Sequence, residues 1–232
     1  MNIHVAGENA LMVYFADNVS DQTSLRIQQT ASVLSQYMGK ELIDLVPSYA
    51  SMLVVFDAFK TDHLHVRKLI RDAAQPHQES QTQQQENIVR LPVYYGPQTS
   101  PDLAKIAQHA GLTNEQVIEI HQQAHYRVYA IGFAPGFAYL GETDERIAMA
   151  RLSTPRKKVP KGAVAIADRQ TAVYPSVSPG GWNLIGCCPT PMFDANASPS
   201  MPVKAGDAVQ FYAIDESEFI SLGGSFDGWQ DL

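Results

Sequence analysis

Three glycine- and proline-rich stretches contain most of the residues whose types could form a ligand site. They are 132–141 (G-F-A-P-G-F-A-Y-L-G), 154–162 (T-P-R-K-K-V-P-K-G) and 174–186 (Y-P-S-V-S-P-G-G-W-N-L-I-G). Proline removes backbone freedom and glycine permits positive φ, so such stretches form loops of fixed shape. Because binding residues are often held on loops above a rigid scaffold, we expect a site where these stretches meet.

A run of basic residues overlaps the second stretch and is a candidate anion site. No acidic residue lies between its ends, and its members are Arg146, Arg151, Arg156, Lys157, Lys158 and Lys161. Arginine binds a carboxylate or phosphate through two parallel hydrogen bonds, and lysine binds it as a point charge. For any single member, a solvated surface position is the alternative interpretation.

Aromatic and small polar side chains near these stretches could line a pocket. The aromatic candidates are Phe133, Phe137, Tyr139 and Trp182. Spaced among glycines and prolines, they cannot all follow the inward alternation of a strand, so some should form a wall against which a planar ring packs. The polar candidates are Gln170, Thr171, Tyr174 and Ser178, which could bind a ligand or stabilise turns.

Metal and covalent chemistry are disfavoured. His121 and His125 have the spacing of a metal-binding pair on a helix, but no acidic residue lies between them and no third ligand is nearby, so we predict no metal site. All seven histidines precede residue 126, and no serine or cysteine has a setting such as G-x-S-x-G, so no nucleophilic triad can be assembled. The P-loop pattern G-x-x-x-x-G-K-[ST] is also missing, so no motif of this kind indicates nucleotide binding.

The composition is that of a globular protein and disfavours nucleic-acid binding. The 232 residues are 45% apolar and 18% charged, which suits one or two domains. The net charge of −7 disfavours a nucleic-acid binder. We read no secretory signal and no membrane-spanning run, and we interpret the adjacent Cys187 and Cys188 as free thiols in the cytoplasm.

The overall prediction is an α+β fold in two domains. A ferredoxin-like α+β domain is expected over 1–75, with strands at 10–16, 41–46 and 51–56 and helices ending at Gly39 and near residue 74. The polar, Gln-rich segment 76–87 predicts a linker.

The remainder, 88–232, is predicted to be a β-barrel preceded by two helices. Ser100 and Pro101 predict the start of one helix, Gly111 its end, and Thr113 with Gln116 a capping box at the start of the next. Short β-branched and aromatic runs separated by turns are typical of an all-β barrel. The predicted strands are 88–94, 126–131, 163–167, 171–174 and 208–214.

Four motifs in this order resemble those of one protein family. They are G-F-A-P-G-F-A-Y-L, T-P-R, Q-T-A-V-Y-P and S-P-G-G-W-N-L-I-G, and they resemble the KipI/PxpB family, also known as allophanate hydrolase subunit 1 and as part of a carboxyltransferase-type domain. The resemblance covers essentially the whole chain and implies an N-terminal α+β domain and a C-terminal cyclophilin-like barrel. Ala150, Asp168 and Cys187-Cys188 depart from the family pattern.

The resemblance implies an ATP-dependent 5-oxoprolinase, in which this chain is the B subunit and is inactive alone. Phosphorylation of the lactam oxygen, followed by attack of water, would open 5-oxoproline to L-glutamate, so catalysis becomes positioning and charge neutralisation. The implied partners are a PxpC-like (KipA-like) subunit, which completes the site, and a PxpA-like (LamB/YcsF) subunit. ATP with Mg²⁺ is the implied co-substrate, with no tightly bound cofactor.

The resemblance also suggests roles for individual residues. Arg156, within the T-P-R element, and His121, just upstream of the glycine-rich loop, are expected to be catalytic, and Arg156 and Lys158 to contact an anion. The residues expected to bind substrate or nucleotide are Phe133, Pro135, Gly136, Phe137, Tyr139, Lys158, Gln170, Thr171, Tyr174, Ser178, Pro179, Gly180, Gly181 and Trp182.

Other functions remain open from the sequence. A KipI-like protein would inhibit a sensor histidine kinase and perform no chemistry. Half of a urea- or allophanate-type carboxyltransferase would need a biotin carboxylase partner and a biotinylated domain, neither of which this chain contains. A prolyl isomerase would rest on barrel shape alone, and fold does not fix function.

Overall fold

The computed structural model describes residues 1–75, 88–230 and 232, which fall into two compact units. These are Met1–Gln85 and Glu86–Leu232, here called the N-terminal and C-terminal units. The predicted linker, 76–87, lies outside the described residues. No helix among the described residues is both long and apolar enough to cross a membrane.

The N-terminal unit is a four-stranded antiparallel sheet with two helices. Its elements are β1 (Asn2–Gly7), β2 (Ala10–Tyr14), α1 (Asp21–Met38), β3 (Leu42–Pro47), β4 (Ser51–Phe56) and α2 (His63–Ala73), and the sheet order is β1-β2-β4-β3. Alternate residues of β2 and β4, such as Leu11 and Val54, pack with Ile27, Leu34 and Ile70 of the helices.

The helix boundaries follow from capping side chains. Ser20 accepts a hydrogen bond from the Thr23 backbone N–H, and Asp62 accepts from Leu64 and His65 at the start of α2. Gly39 ends α1 at φ 48°, as predicted. Strand β1 was not predicted, because all but one of its residues are exposed and no apolar run marks it. The ferredoxin-like assignment stays a prediction.

The C-terminal unit is a seven-stranded, nearly closed barrel. Its strands are β5 (Ile88–Val93), β6 (Tyr126–Ile131), β7 (Ala138–Gly141), β9 (Ala163–Ala167), β10 (Gln170–Val173), β12 (Asn183–Cys187) and β13 (Ala208–Ala213). Their order in the sheet is β12-β9-β10-β7-β6-β13-β5. Its two edges meet where Tyr94 and Cys187 exchange backbone hydrogen bonds of 2.8 Å. This agrees with the expected cyclophilin-like barrel.

Helices and a short ribbon complete this unit. The helices are α3 (Leu103–Ala110), α4 (Asn114–Gln123) and α5 (Glu216–Ser221), and the ribbon pairs β8 (Arg156–Val159) with β11 (Ser178–Gly180). The capping box of Thr113 and Gln116 and the left-handed Gly111 are confirmed. The predicted N-cap at Ser100 was wrong, because the Ser100 hydroxyl donates to preceding carbonyls and α3 begins after Asp102.

Two hydrophobic clusters lie on the two faces of the barrel sheet. One draws residues from all seven strands, such as Val128, Val164 and Phe211, and therefore fills the interior together with α3 and α4. The other contains residues of opposite parity, among them Ala165, Ala172 and Leu184. Because successive residues of a strand point to opposite faces, the second cluster lies on the outer face.

Candidate functional site

The structure brings the aromatic residues of the glycine-rich stretches together on the outer face of the barrel. We call Phe133, Phe137, Tyr139, Tyr174 and Trp182 the aromatic cluster. The centroids of its contacting rings are 4.8 to 6.1 Å apart, with Phe137 at the centre in edge-to-face contact with the other four. Phe137, Tyr174 and Trp182 are buried, whereas Tyr139 is partly exposed. The cluster is thus part core and part accessible surface.

Tyr174 holds the turn between β11 and β12 in place. Its hydroxyl accepts a hydrogen bond from the Trp182 backbone N–H, and burial is the main reason that its pKa rises to about 12. A Cβ on Gly180 would overlap the Tyr174 ring and hydroxyl, so only glycine fits there. The turn chemistry of S-P-G-G-W therefore fixes where the Trp182 ring lies.

Phe133 is the exposed member of the cluster and has an unusual backbone. Its φ is 71° and the residue is 65% exposed. A positive φ is strained for a bulky residue, and such strain concentrates at functional sites. The following Gly136 has φ 87°, and a Cβ there would lie 2.6 Å from the Met192 carbonyl oxygen. The loop is therefore held against the 192–193 backbone with Phe133 presented to solvent.

Arg156 forms a buried ion pair, which differs from its expected role in ligand contact. Its guanidinium lies 2.9 Å from one carboxylate oxygen of Asp102, and the two side chains are only 19% and 9% exposed. The other Asp102 oxygen accepts from the Leu184 N–H at 2.7 Å. Arg156 also approaches the Trp182 carbonyl at 3.5 Å. Its charge is therefore already neutralised within the protein.

Arg151 is the cation that lies against the aromatic cluster. Its guanidinium carbon is 5.8 Å from the centre of the Trp182 ring, and the residue is exposed. Within the described ranges no carboxylate forms an ion pair with it. Arg146, in the same basic run, is instead bound to Asp144 through two nitrogens. Arg151 therefore retains an unneutralised charge at the cluster.

His121 lies in the barrel interior, away from the aromatic cluster. Its Nδ1 is 2.8 Å from the Tyr95 hydroxyl, its Nε2 is 3.0 Å from Thr171 Oγ1, and its ring stacks on Phe211. Thr171 donates its own proton to the Ala165 carbonyl, so Thr171 Oγ1 accepts from Nε2–H and the Tyr95 hydroxyl donates to Nδ1. Burial lowers the pKa of His121 to about 3, which keeps the ring neutral.

The remaining predicted residues divide between the two faces. Thr171 is fully buried in the interior beside His121, on the face opposite the cluster. Ser178 lies in β11 with its hydroxyl buried and without a hydrogen-bond partner among the described residues. A Cβ added to Gly181 would lie 3.6 Å from Pro155, and Gln170 is partly exposed in β10. The residues left at the surface are Pro135, Lys158 and Pro179.

Sequence reasoning missed Asp102 and did not single out Arg151. Nothing local marks Asp102, because its partners Arg156 and Leu184 lie 54 and 82 residues further along the chain. The described residues contain no group of three or more His, Cys, Asp or Glu side chains suited to a metal ion. A shallow cleft of about 430 Å³ between α4 and β13, lined by residues such as Glu119 and Gln210, contains none of the predicted site residues.

Comparisons with known proteins agree with the motifs. The family model for the carboxyltransferase domain, subdomain C and D, matches residues 1–203. The chain is 35% identical to a protein of Bacillus subtilis (strain 168) that is named as the B subunit of 5-oxoprolinase, over 94% of each chain. It is 32% identical to a protein of the same name from Haemophilus influenzae, over 91% of this chain and 97% of that one.

Solved structures have the same fold. TTHA0988 is 31% identical with a TM-score of 0.79, and the match covers 90% of this chain but only 40% of that longer one. PH0987 from Pyrococcus horikoshii, an uncharacterised protein, is 39% identical over its whole length with a TM-score of 0.57. The urea amidolyase of Kluyveromyces lactis has a TM-score of 0.68 at 17% identity, which shows a shared fold alone.

Proposed function

The chain belongs to the carboxyltransferase-domain family, subdomain C and D, and we propose that within it the chain is the B subunit of an ATP-dependent 5-oxoprolinase. The family membership confirms the resemblance of its motifs. The observation that supports the specific function is identity of 35% along 94% of both chains with a protein named as the B subunit of 5-oxoprolinase. The match extends over nearly the full length of this chain and of that relative, rather than over one shared domain.

In the proposed reaction the lactam oxygen of 5-oxoproline attacks the γ-phosphorus of ATP and ADP leaves. Water then adds to the activated carbon, the ring C–N bond breaks, and a second water releases phosphate from the acyl phosphate, giving L-glutamate. Such a reaction asks the protein to position the ring, neutralise phosphate charge and exclude stray water. Mg²⁺ would enter bound to ATP, since it is usually held by phosphate oxygens and a few carboxylates.

The outer face of the barrel is the part of this chain suited to that task. The aromatic cluster offers flat apolar surface for a ring, and Arg151 offers an unneutralised cation beside it. A complete site for phosphoryl transfer needs further cations and a metal-binding carboxylate, which we assign to a PxpC-like partner. A PxpA-like subunit completes the cytoplasmic enzyme.

Reconstitution tests the proposal. The purified chain alone should release no ADP with 5-oxoproline, whereas its mixture with the C-type and A-type subunits should form ADP and glutamate in equal amounts. Each two-subunit mixture is the matched control. Full turnover by the isolated chain, or an inactive three-subunit mixture, would contradict the proposal.

A urea- or allophanate-type carboxyltransferase is the second candidate, because the urea amidolyase of Saccharomyces cerevisiae is 22% identical over 92% of this chain. That match spans only 13% of the yeast protein. The same three-subunit mixture, supplied with biotin carboxylase, a biotinylated carrier and urea, would carboxylate urea if this candidate were correct. Lactam-dependent ADP release without those additions favours the oxoprolinase.

A further inference from the structure

We propose that the aromatic cluster binds a small planar ring bearing an anionic group, and that Arg151 binds the anion while Arg156 only positions the site. The inference deepens the proposed function and rests on it for the identity of the ligand. It differs from the anion contact that the resemblance implied for Arg156, and it gives a specific role to Arg151, which the sequence marked only as a member of the basic run. Three features of the outer face lead to it.

The first feature is the state of charge of the two guanidinium groups. Arg156 and Asp102 are both largely buried and form a direct ion pair, so a ligand anion at Arg156 would compete with Asp102 and meet its charge. Arg151 is exposed and has no carboxylate partner among the residues that the structure describes. An unpaired guanidinium is free to bind a carboxylate or phosphate through two hydrogen bonds.

The second feature is that Arg151 lies at Trp182, within reach of the partly exposed side of the cluster. Its distance of 5.8 Å from the ring centre is that of a cation–π contact, which holds the flexible side chain over the ring. Tyr139 is tilted against Trp182 at 6.1 Å and is partly exposed. A ring that packs on Tyr139 would therefore have its substituents close to Arg151.

The third feature is Phe133. It is 65% exposed although it contacts Phe137 edge to face at 5.2 Å, and its backbone has φ 71°. Neither the solvent exposure nor the strain stabilises the free protein. Both are accounted for if Phe133 closes on a ligand ring and loses its exposed surface when the ligand is bound.

The ligand chemistry is thus an uncharged or weakly polar ring of one or two cycles with a carboxylate or phosphate attached. In the proposed reaction two molecules have this chemistry. 5-Oxoproline is a planar lactam with a carboxylate, and ATP has an adenine ring with phosphates. The test must therefore compare each with its neutral counterpart.

Ligand-detected NMR titration of the purified full chain is the experiment. The probes are 5-oxoproline and 2-pyrrolidinone, which is the same lactam without the carboxylate, and ADP and adenosine, which differ by the phosphates. Each is titrated into the wild type, Arg151→Ala, Arg151→Lys and Lys157→Ala. Lys157→Ala is the matched control, because Lys157 is an exposed cation of the same basic run and none of the cation–π contacts among the described residues involves it.

For one of the two anionic probes, Arg151→Ala should weaken binding by about tenfold or more, because a charge-assisted contact is lost. Arg151→Lys should weaken it less, Lys157→Ala should leave it unchanged, and neutral probes should bind all four proteins equally. The probe that responds identifies the anion as carboxylate or phosphate. In a further titration of a fifth protein, Phe133→Ala, the anionic and the neutral member of that pair should both bind more weakly, and to the same extent.

Three results would overturn the inference: no binding of either anionic probe by the wild type, equal effects of Arg151→Ala and Lys157→Ala, or an equal loss of the neutral probe in Arg151→Ala. These outcomes are separate from those of reconstitution. An inactive three-subunit mixture with Arg151-dependent binding would remove the proposed reaction and leave the site. An active mixture, together with Arg151-independent binding by the isolated chain, would support the proposed reaction and remove the inferred role of Arg151.

Discussion

The ion pair of Asp102 and Arg156 should be a main determinant of the stability of the C-terminal unit. Three variants separate its parts. Arg156→Ala removes the cation. Asp102→Asn removes the anion but keeps an acceptor for the Leu184 N–H, whereas Asp102→Ala removes both the anion and that acceptor.

The size of each effect follows from burial and from the groups left unpaired. Removing one partner of a buried ion pair costs about 3–5 kcal/mol. Because Arg156 is 19% exposed, we expect Arg156→Ala and Asp102→Asn to cost about 2–3 kcal/mol, at or below the lower end of that range. Asp102→Ala also leaves the buried Leu184 N–H without its acceptor, which adds about 1–3 kcal/mol. We therefore expect about 3–6 kcal/mol for Asp102→Ala, or a fall in Tm of roughly 6–24 °C at about 2–4 °C per kcal/mol.

Tryptophan fluorescence during urea unfolding measures this unit specifically. The chain has two tryptophans, Trp182 and Trp229, and both lie in the C-terminal unit. In a double-mutant cycle, Asp102→Ala with Arg156→Ala should be less destabilised than the sum of the single variants, because the double variant leaves no unpaired buried charge. Lys157→Ala should stay within about 0.5 kcal/mol of the wild type. If Asp102→Ala and Arg156→Ala each cost under about 1 kcal/mol, or add without coupling, the stabilising role assigned to the pair is wrong.

Two further predictions concern the interior and the turn. Because burial lowers the pKa of His121 to about 3, whereas the unfolded chain takes up this proton near the ordinary 6.5, the C-terminal unit should have its full stability above pH 6.5 and lose stability as pH falls from 6.5 towards 3. The urea midpoint of unfolding should decrease as the pH is lowered from 7 to 5, and in His121→Gln it should depend less on pH. If the pH dependence is the same in His121→Gln as in the wild type, it is caused by other groups. Gly180→Ala should cost about 1–3 kcal/mol because its Cβ overlaps the Tyr174 hydroxyl. Gly181→Ala, whose Cβ lies 3.6 Å from its nearest neighbour, should cost less than about 1 kcal/mol, and equal midpoints for the two would contradict the packing seen at Tyr174.

Local hydrogen-bonding rules explain which elements could be predicted from the sequence. The capping box at Thr113 and Gln116 and the positive-φ glycines that end α1 and α3, Gly39 and Gly111, depend on neighbours within a few positions, so spacing alone located them. The ribbon of β8 and β11 depends on pairing between segments that are distant in sequence. Each strand has only three or four residues, too few for an alternation to be read, and the stretches were predicted as loops.

The aromatic cluster could be predicted as a group but not as a geometry. Spacing among glycines and prolines indicated that Phe133, Phe137, Tyr139 and Trp182 would not all lie in strands, and the structure brings them together. Spacing did not indicate which face of α4 meets the barrel, so it could not show that His121 lies in the interior. There both of its ring nitrogens are hydrogen-bonded within the protein. The distinction between Arg151 and Arg156 depends on Asp102, which no nearby pattern marks.

The position of Asp102 gives the two arginines different roles. Asp102 fixes the start of β12, because its backbone N–H donates to the Leu184 carbonyl and its carboxylate accepts from the Leu184 N–H; Trp182 lies just before that start. Arg156, in β8, donates to the Asp102 carboxylate and approaches the Trp182 carbonyl. The neutralised Arg156 thus approaches the backbone of Trp182, whereas the unneutralised Arg151 contacts its ring. A substitution at Asp102 should therefore weaken both folding and ligand binding, whereas a substitution at Arg151 should weaken binding alone, and this difference separates a residue that shapes the site from one that contacts the ligand.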